Sequence, residues 1–501
     1  MKKQLLTSCS TLFCGMLFCS LPVNAQTEDA ALPVQEIETY FSDVLAEKEP
    51  VFTISQTLTA DELQSSQQSV WAAWVKVNTN FDEEKLISMK QLGNEPKSKW
   101  NLPAKLEPNA VMEYYYGCKG SKPKGGFPLF LYLHGSGTPS NEWSTGLSIA
   151  LRNDDGPSAY FIPKIPNTGN YYRWYQKSKQ WAWEKLLRQS FLTGVINPNR
   201  VYFFGISEGG YGSQRLASYY ADYLAGAGPM AGGEPLKNAP VENCRNIAFN
   251  FRTGADDTGF FRNVLTGYTR DAFEALQKKY PDGFIHHIEL IPGYGHHIDY
   301  YQTTPWLAKY ERNPYPKHVM WENYEMDGKY RKGFYNLYLV EDPRGVFTYR
   351  VFYQMDIEDN VINLAVKRTN YRTTETQDGI EMAFKRTYSE LNKGKIRIFL
   401  NDQLVDMSRP VKVVANGKVL FDGMVQPDLK DMVESCAAFF DPTRVFPASV
   451  TIDMTQESLD IDGVQLDTHT APVEYYDLSG RKVQQPQHGI FITNTGKKVK
   501  F

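Results

Sequence analysis

Disulfide chemistry, basic charge and long apolar runs are all scarce in this chain. Six cysteines in 501 residues are too few for a disulfide scaffold. Three of them, Cys9, Cys14 and Cys19, lie at the extreme N-terminus. The remaining Cys118, Cys244 and Cys436 allow at most one bridge, and their spacing selects no pair. With 54 basic against 57 acidic residues the net charge is −3, so no basic excess is available to neutralise a phosphate backbone, which excludes a nucleic-acid partner. Mean hydropathy is −0.45. No apolar run of about 18 residues follows the N-terminal segment, which excludes a spanning helix. What is present is enough apolar residue, 42 %, to build a large core. Aromatics reach 14 %, with 31 Tyr, which suits sugar handling or the packing of β-layers.

The first 25 residues read as a secretory signal. Met1-Lys2-Lys3 is a positive start, Leu5 to Leu21 is mostly apolar or small, and Val23-Asn24-Ala25 offers small residues for cleavage before Gln26. The chain is therefore expected to be exported, to a periplasm, a cell surface or the medium. Residues 26–110 read as an N-terminal extension with one amphipathic helix. Thr59-Ala60-Asp61-Glu62 is its capping box, and residues 26–58 before it read as irregular. Residues 93–109, with Pro96, Pro103 and Pro108, read as a connector.

From 111 to 312 apolar strand runs alternate with helical patterns. Phe127 to Leu133 is continuously apolar, as in a strand buried on both faces. Such alternation implies an α/β architecture, a mostly parallel sheet flanked by helices. Residues 313–454 read as a β-rich domain with turn signals at Asn416-Gly417 and Asp422-Gly423, 455–470 as a polar linker and 471–501 as a small tail.

Gly205-Ile206-Ser207-Glu208-Gly209 carries the sharpest chemical signal. A G-x-S-x-G between an apolar run and a helical pattern puts a serine on a tight strand-to-helix turn, with a helix N-terminus behind it for a developing oxyanion. A serine nucleophile needs a base. Of the eight histidines, His286 and His287 are neighbours in a strand and face opposite sides, which also argues against a metal site. Gly293-Tyr294-Gly295-His296-His297 follows that strand in a glycine-flanked loop, so His296, with His297 as alternate, is the candidate base. The orienting carboxylate is Asp257 or its alternate Asp256, after the run Ile247 to Phe251; the other would cap the next helix. The oxyanion donors would be the amides of Glu208 and of Ser136 or Gly137, the latter two in the loop His134-Gly135-Ser136-Gly137. His134 would buttress that loop. Tyr172, Arg173 and Trp174 form an aromatic and cationic run suited to a sugar ring or a uronate, or else to packing. Arg252 and Arg262 are further candidates for an acidic group.

The stretch from Ile196 to Gly212, with Asn197-Pro198-Asn199-Arg200-Val201-Tyr202 leading into the serine motif, resembles the secreted α/β-hydrolases. That group includes feruloyl and acetylxylan esterases, polyhydroxybutyrate depolymerase-like enzymes and peptidases of the prolyl-oligopeptidase type. Ala231-Gly232-Gly233 and the Gly254-x-x-Asp257 spacing also match, and the group's usual acid position favours Asp257. Asn197 stands where Asp is usual, and Glu208 is an uncommon neighbour for the nucleophile. The resemblance covers roughly 111–310 and implies an α/β-hydrolase fold, a Ser-His-Asp triad, no cofactor and no metal. It also implies an ester substrate on a polysaccharide or oligosaccharide (methyl, acetyl or feruloyl), with a serine peptidase or an inactive glycan-binding protein as rivals. Tyr476-Asp477-Leu478-Ser479-Gly480-Arg481-Lys482-Val483 and the glycines after it resemble the C-terminal sorting modules of exported Bacteroidota proteins. That likeness implies recognition of residues 471–501 by an export machinery.

Overall fold

The computed structural model describes residues 32–459 and, beyond them, 475–476, 481–483, 490–493 and 498–500. The expected signal peptide lies outside the described residues, as does most of the expected linker and tail. Four short pieces of the tail, Tyr475–Tyr476, Lys482–Val483, Ile490–Thr493 and Lys498–Lys500, pair as one antiparallel sheet.

Two helices precede the main sheet, α1 (Val34–Leu45) and α2 (Leu63–Asn80). The first stands where the sequence reads as irregular chain. Its Ile37 and Phe41 pack on Val70 and Trp74 of α2. The capping box closes as read, with the Thr59 amide donating to the Glu62 carboxylate at 2.6 Å.

The main sheet has eight strands: β1 (Lys97–Asn101), β2 (Val111–Lys119), β3 (Phe127–Leu133), β4 (Ser158–Pro163), β5 (Ile196–Ile206), β6 (Gly226–Met230), β7 (Ala248–Gly254) and β8 (His286–Ile291). Their order is β1-β2-β4-β3-β5-β6-β7-β8. Strand β2 runs against both neighbours, and every pairing among β3 to β8 is parallel. This order, with helices on both faces, is the α/β-hydrolase fold. Strand β1 lies within the stretch that reads as a connector: prolines mark its flanks, yet Lys97–Asn101 completes an edge ladder and buries Trp100.

Alternation along the strands feeds two cores. Leu129, Leu131 and Leu133 of β3 face α4 (Lys177–Leu192) and α5 (Glu208–Tyr220). Phe130 and Tyr132 face α3 (Pro139–Arg152) and α7 (Thr303–Leu307) instead. One more helix, α6 (Arg262–Lys279), covers β7 and β8. The parallel ladders end level with one another, at Leu133↔Gly205, Ile206↔Met230 and Gly254↔Ile291. The loops that follow β3, β5, β7 and β8 therefore open on one edge, where ligands bind in sheets of this kind.

The β-rich part begins with β9 (His318–Asn323), β10 (Gly333–Phe334), β11 (Leu337–Glu341) and β12 (Arg350–Glu358). A long hairpin follows, β13 (Val361–Gln377) and β14 (Ile380–Glu390), and then β15 (Lys395–Leu400), β16 (Val411–Ala415), β17 (Lys418–Gly423) and β18 (Ala448–Asp453). They form one sheet ordered β17-β16-β13-β12-β9 with β14 added to β13, and another ordered β10-β11-β15-β18. Asn416-Gly417 makes the expected tight turn, with φ 46° and 78°. Asp422-Gly423 instead ends β17. Helix α8 (Leu429–Phe439) packs on α1 and α2, joining the N-terminal helices to the β-rich part.

The two parts share one core. Leu216 and Tyr219 of α5 belong to the same apolar cluster as Trp321, Tyr324 and Phe334. A buried ionic network crosses the same boundary. Asp222, just after α5, accepts from Arg444 at 2.8 Å and from Arg331 at 2.9 Å, and Asp441 pairs with Arg312 at 2.8 Å and with Arg444 at 3.1 Å. The Arg444 guanidinium also lies 4.0 Å from the centroid of the Tyr223 ring. Cys118, Cys244 and Cys436 are buried free thiols.

Asp222→Ala leaves Arg331 with no carboxylate and Arg444 with Asp441 alone, and is expected to cost about 3 kcal/mol. Urea unfolding followed by tryptophan fluorescence and by far-UV circular dichroism checks it. The shared core predicts coincident transitions by the two probes, both displaced to lower urea.

Candidate active site

Strand β5 stops at Ile206, and α5 begins at Glu208. Ser207 makes the turn alone, at φ 57° and ψ −114°, a conformation that costs a side-chain-bearing residue on the order of 1–3 kcal/mol. The turn closes only because its neighbours lack side chains. A Cβ on Gly209 would stand 1.8 Å from the carbonyl oxygen of Leu133, and one on Gly205 would stand 2.5 Å from that of Gly209. The Ser207 amide is held by the Met230 carbonyl at 2.9 Å, which joins the turn to β6.

His296 reaches this serine from the loop after β8. Its Nε2 lies 3.0 Å from Ser207 Oγ, and its Nδ1 lies 2.8 Å from Asp257 Oδ2. With Nδ1–H donating to the carboxylate, Nε2 is left to accept the serine hydroxyl proton. Asp257 is buried. Burial alone would raise its carboxyl, but hydrogen bonds from Arg262 and His296 hold it below the usual carboxylate range. Arg262 clamps it through Nε to Oδ2 at 2.8 Å and Nη2 to Oδ1 at 2.5 Å. Asp256 is exposed, donates its amide to the Tyr294 carbonyl and does not cap a helix. His297 is exposed, with its ring 6.0 Å from that of His296.

The loop after β3 lies against the nucleophile. A Cβ on Gly135 would be 3.5 Å from Ser207 Cβ. The Gly135 amide is taken by Glu142 at 3.2 Å, so among the described residues the donors left in this loop are the amides of Ser136 and Gly137. The Glu208 amide opens α5 and, as the first of a helix, has no intrahelical acceptor. His134 is buried and neutral: burial lowers it to about 4, its Nδ1–H donates to the Gly135 carbonyl, and its Nε2 accepts from the Ile165 amide.

The aromatic run divides. Trp174 has no exposed surface; it packs in the core and donates Nε1–H to the His134 carbonyl at 2.9 Å. Tyr172 is buried too, and its hydroxyl donates to the carbonyls of Gly135 and Gly137 at 2.7 and 3.2 Å. Neither presents a face to a substrate, which corrects their reading as binding residues. They brace the loop beside the nucleophile, because a loop with two glycines has few side chains of its own to hold it. Arg173 alone stays half-exposed, 3.2 Å from Glu208. Arg262 serves Asp257, not an incoming acid. Arg252 is buried against Glu289 and the Asp299 carbonyl, so it too is unavailable.

Glu208 is mostly buried beside the serine, and burial raises its carboxyl to about 7, against the opposing pull of Arg173. Its Oε1 has no partner among the described residues. Sequence reasoning missed the Arg262 clamp, since five residues of separation from Asp257 carries no motif. It also missed the tip of the β13–β14 hairpin, although Asp378-Gly379 between strand patterns is a turn signal of the kind read elsewhere in the chain. Among the described residues no group of three or more His, Cys, Asp or Glu side chains could hold a metal ion. No helix there is long and apolar enough to cross a membrane.

No protein-family model matches the chain, and no curated protein matches it. Solved structures do show likeness. A thermostable esterase is 20 % identical over 43 % of this chain and 63 % of its own length, with a TM-score of 0.34. The chain thus spans slightly less than two thirds of that esterase. An S-formylglutathione hydrolase from Staphylococcus aureus is 12 % identical over 42 % of this chain and 98 % of its own, at a TM-score of 0.31. The feruloyl esterase module from Clostridium thermocellum is 17 % identical over 45 % and 96 %, at 0.29. At these scores the likenesses carry no argument, and the fold rests on the strand order.

Two outcomes follow from this geometry. Asp257→Asn is expected to lower turnover of an activated aryl ester on the order of 10⁴-fold, through the wrong imidazole tautomer, and Asp256→Asn by less than about tenfold. Steady-state kinetics on both variants rank the two aspartates. Tyr172→Phe, which frees the carbonyls of Gly135 and Gly137, is expected to reduce kcat in the same proportion on small and polymeric esters; paired assays on the two substrates test this.

Proposed function

We propose that this protein is an exported serine hydrolase that cleaves carboxylic esters. The observation that carries the reading is the continuous relay from Ser207 through His296 to Asp257, 3.0 and 2.8 Å long, at a strained turn on the ligand-binding edge of an α/β-hydrolase sheet. In this reading Ser207 Oγ attacks the ester carbonyl while His296 Nε2 takes its proton. The amides of Glu208 and of Ser136, with Gly137 as alternate, receive the oxyanion. Asp257, held by Arg262, steadies the imidazolium. The tetrahedral intermediate collapses, His296 returns the proton to the departing alcohol, and an acyl-enzyme remains. Water, deprotonated by His296, then releases the acid. The protein's own groups suffice for every step.

A carbohydrate ester is the substrate class we favour, because the exposed Phe260 ring and the Glu208 carboxylate, whose Oε1 has no partner among the described residues, line one cavity and suit a sugar better than an extended peptide. The N-terminal signal pattern and the tail at 471–501 support export, with the tail as the part an export machinery would recognise.

The test is turnover of 4-nitrophenyl acetate by the wild-type chain, its loss on treatment with a serine-directed phosphonate, and the mass shift that marks Ser207. Ser207→Ala should retain the fold by circular dichroism and lose on the order of 10⁴–10⁶ in kcat. A variant that keeps a tenth of the activity, or labelling of another residue, overturns the assignment.

A further inference from the structure

The β13–β14 hairpin is longer than the sheet that carries it. Pairing of β13 with β12 ends at Thr369↔Arg350, whereas its pairing with β14 continues to Gln377↔Ile380. The arm projects towards the hydrolase part and turns at Asp378-Gly379, where φ is 46° and 79°. It is not a free arm. At its base Glu322 accepts from Arg350 at 2.8 Å, from the Tyr371 hydroxyl at 2.9 Å and from Arg386 at 3.2 Å, and Arg386 also pairs with Glu242. At its tip Glu381 accepts from Lys237 at 3.0 Å, and Tyr268 of α6 donates to Glu375 at 3.4 Å.

The tip so held forms one wall of a cavity of about 470 Å³, whose other walls are the first two turns of α5, the start of α6, the loop residues Arg173 and Tyr175, and the segment 233–238. That volume falls within the range of small-molecule sites, roughly 300–1,000 Å³. The cavity begins at Glu208, one residue after the nucleophile, and Gly379, Ile380 and Glu381 form its far side. Its polar side holds Glu208, whose side chain is 11 % exposed and whose Oε1 is buried without a partner. Its apolar side holds Leu265, Ile380 and Phe260, the last with 71 % of its surface open at the rim. The remaining charges are paired: Arg173, half-exposed at the cavity's edge, lies 3.2 Å from Glu208 Oε2. Glu234 takes Arg215 at 2.6 and 2.9 Å and Asn238 at 2.9 Å, and Glu381 takes Lys237. A ligand with a strong charge of either sign finds little unpaired countercharge here. One with hydroxyl donors on its edge and an apolar face finds an acceptor and a platform.

We infer that this cavity is the subsite for a neutral sugar unit of the ester substrate, with Glu208 accepting from a ring hydroxyl and the hairpin tip of the β-rich part as its far wall. The inference rests on the esterase reading and deepens it. It gives the β-rich part a direct share in recognition and selects a neutral glycan over a uronate-rich one or the charged amino end of a peptide.

The test is calorimetric binding to the full chain carrying Ser207→Ala, so that it depends on no turnover. The probes are xylotetraose, neutral, and tetragalacturonate, acidic. Xylotetraose is expected to bind and tetragalacturonate to bind at least tenfold more weakly. Adding Ile380→Asp at the tip, or Phe260→Ala at the exposed rim, is expected to weaken xylotetraose about tenfold, about 1.4 kcal/mol, with an unchanged melting temperature for the rim variant. Absence of xylotetraose binding, preference for tetragalacturonate, or equal affinity in the rim variant overturns the inference. Failure of the esterase reading would show separately, as a wild-type chain that does not turn over 4-nitrophenyl acetate.

Discussion

At Ser207 the backbone leaves a buried strand with φ at 57° and enters a helix one residue later, and nothing local favours that conformation. It persists because what surrounds it leaves no alternative. The Ser207 amide is fixed by β6, and the carbonyl of Leu133 on β3 presses against the position a Gly209 side chain would take. Strands β3, β5 and β6 must therefore end level for the turn to exist, and they end level because parallel ladders between buried apolar strands fix their register. Once the turn is set, its hydroxyl has one accessible side, and the loops after β7 and β8 meet it there.

Around that point the protein uses buried polar contacts where glycine-rich loops offer no packing of their own. Tyr172, Trp174 and His134 brace the loop after β3 through its carbonyls, and Arg262 holds Asp257 on two atoms. The same strategy recurs on a larger scale where the β-rich part meets the sheet. There Asp222 and Asp441 are shared among Arg312, Arg331 and Arg444, with all but the edge of Arg331 out of contact with water. Such a network contributes little net stability over an apolar core, but it is costly to break and so selects one arrangement of the two parts. The fixed arrangement is what allows a hairpin of the β-rich part to stand beside Glu208.

Much of this was legible in the chain itself. A continuous apolar run such as Phe127 to Leu133 means a strand buried on both faces, and the alternation of such runs with helical stripes means a parallel sheet with helices on each side. The motif at Gly205 to Gly209 names its serine because only a tight turn requires that many small residues. The position of His296 and Asp257 after later strands follows from the same rule, since every parallel strand ends on the same edge. Other features were less visible. Helix α1 follows a proline and lacks a capping side chain, so its start carries no signal. Strand β1 is masked by the prolines around it.

What the sequence by itself determined is the alternation of strands and helices from 111 to 312, the serine at the strand-to-helix junction and the small set of residues able to reach it, because these depend on periodicity, glycine spacing and chain direction, all of which are local. Only the tertiary structure decided which of those residues touch. Asp257 is turned inward to His296 and Arg262 while Asp256 faces water, although the two are adjacent. Trp174 is sealed in the core while Arg173 beside it is open. The tip at Gly379 to Glu381 faces Glu208 across one cavity from more than 170 positions away. Such distinctions are set by contacts between elements distant in the chain, whose energies enter only after the sheet, the shared core and the buried charges have brought them together.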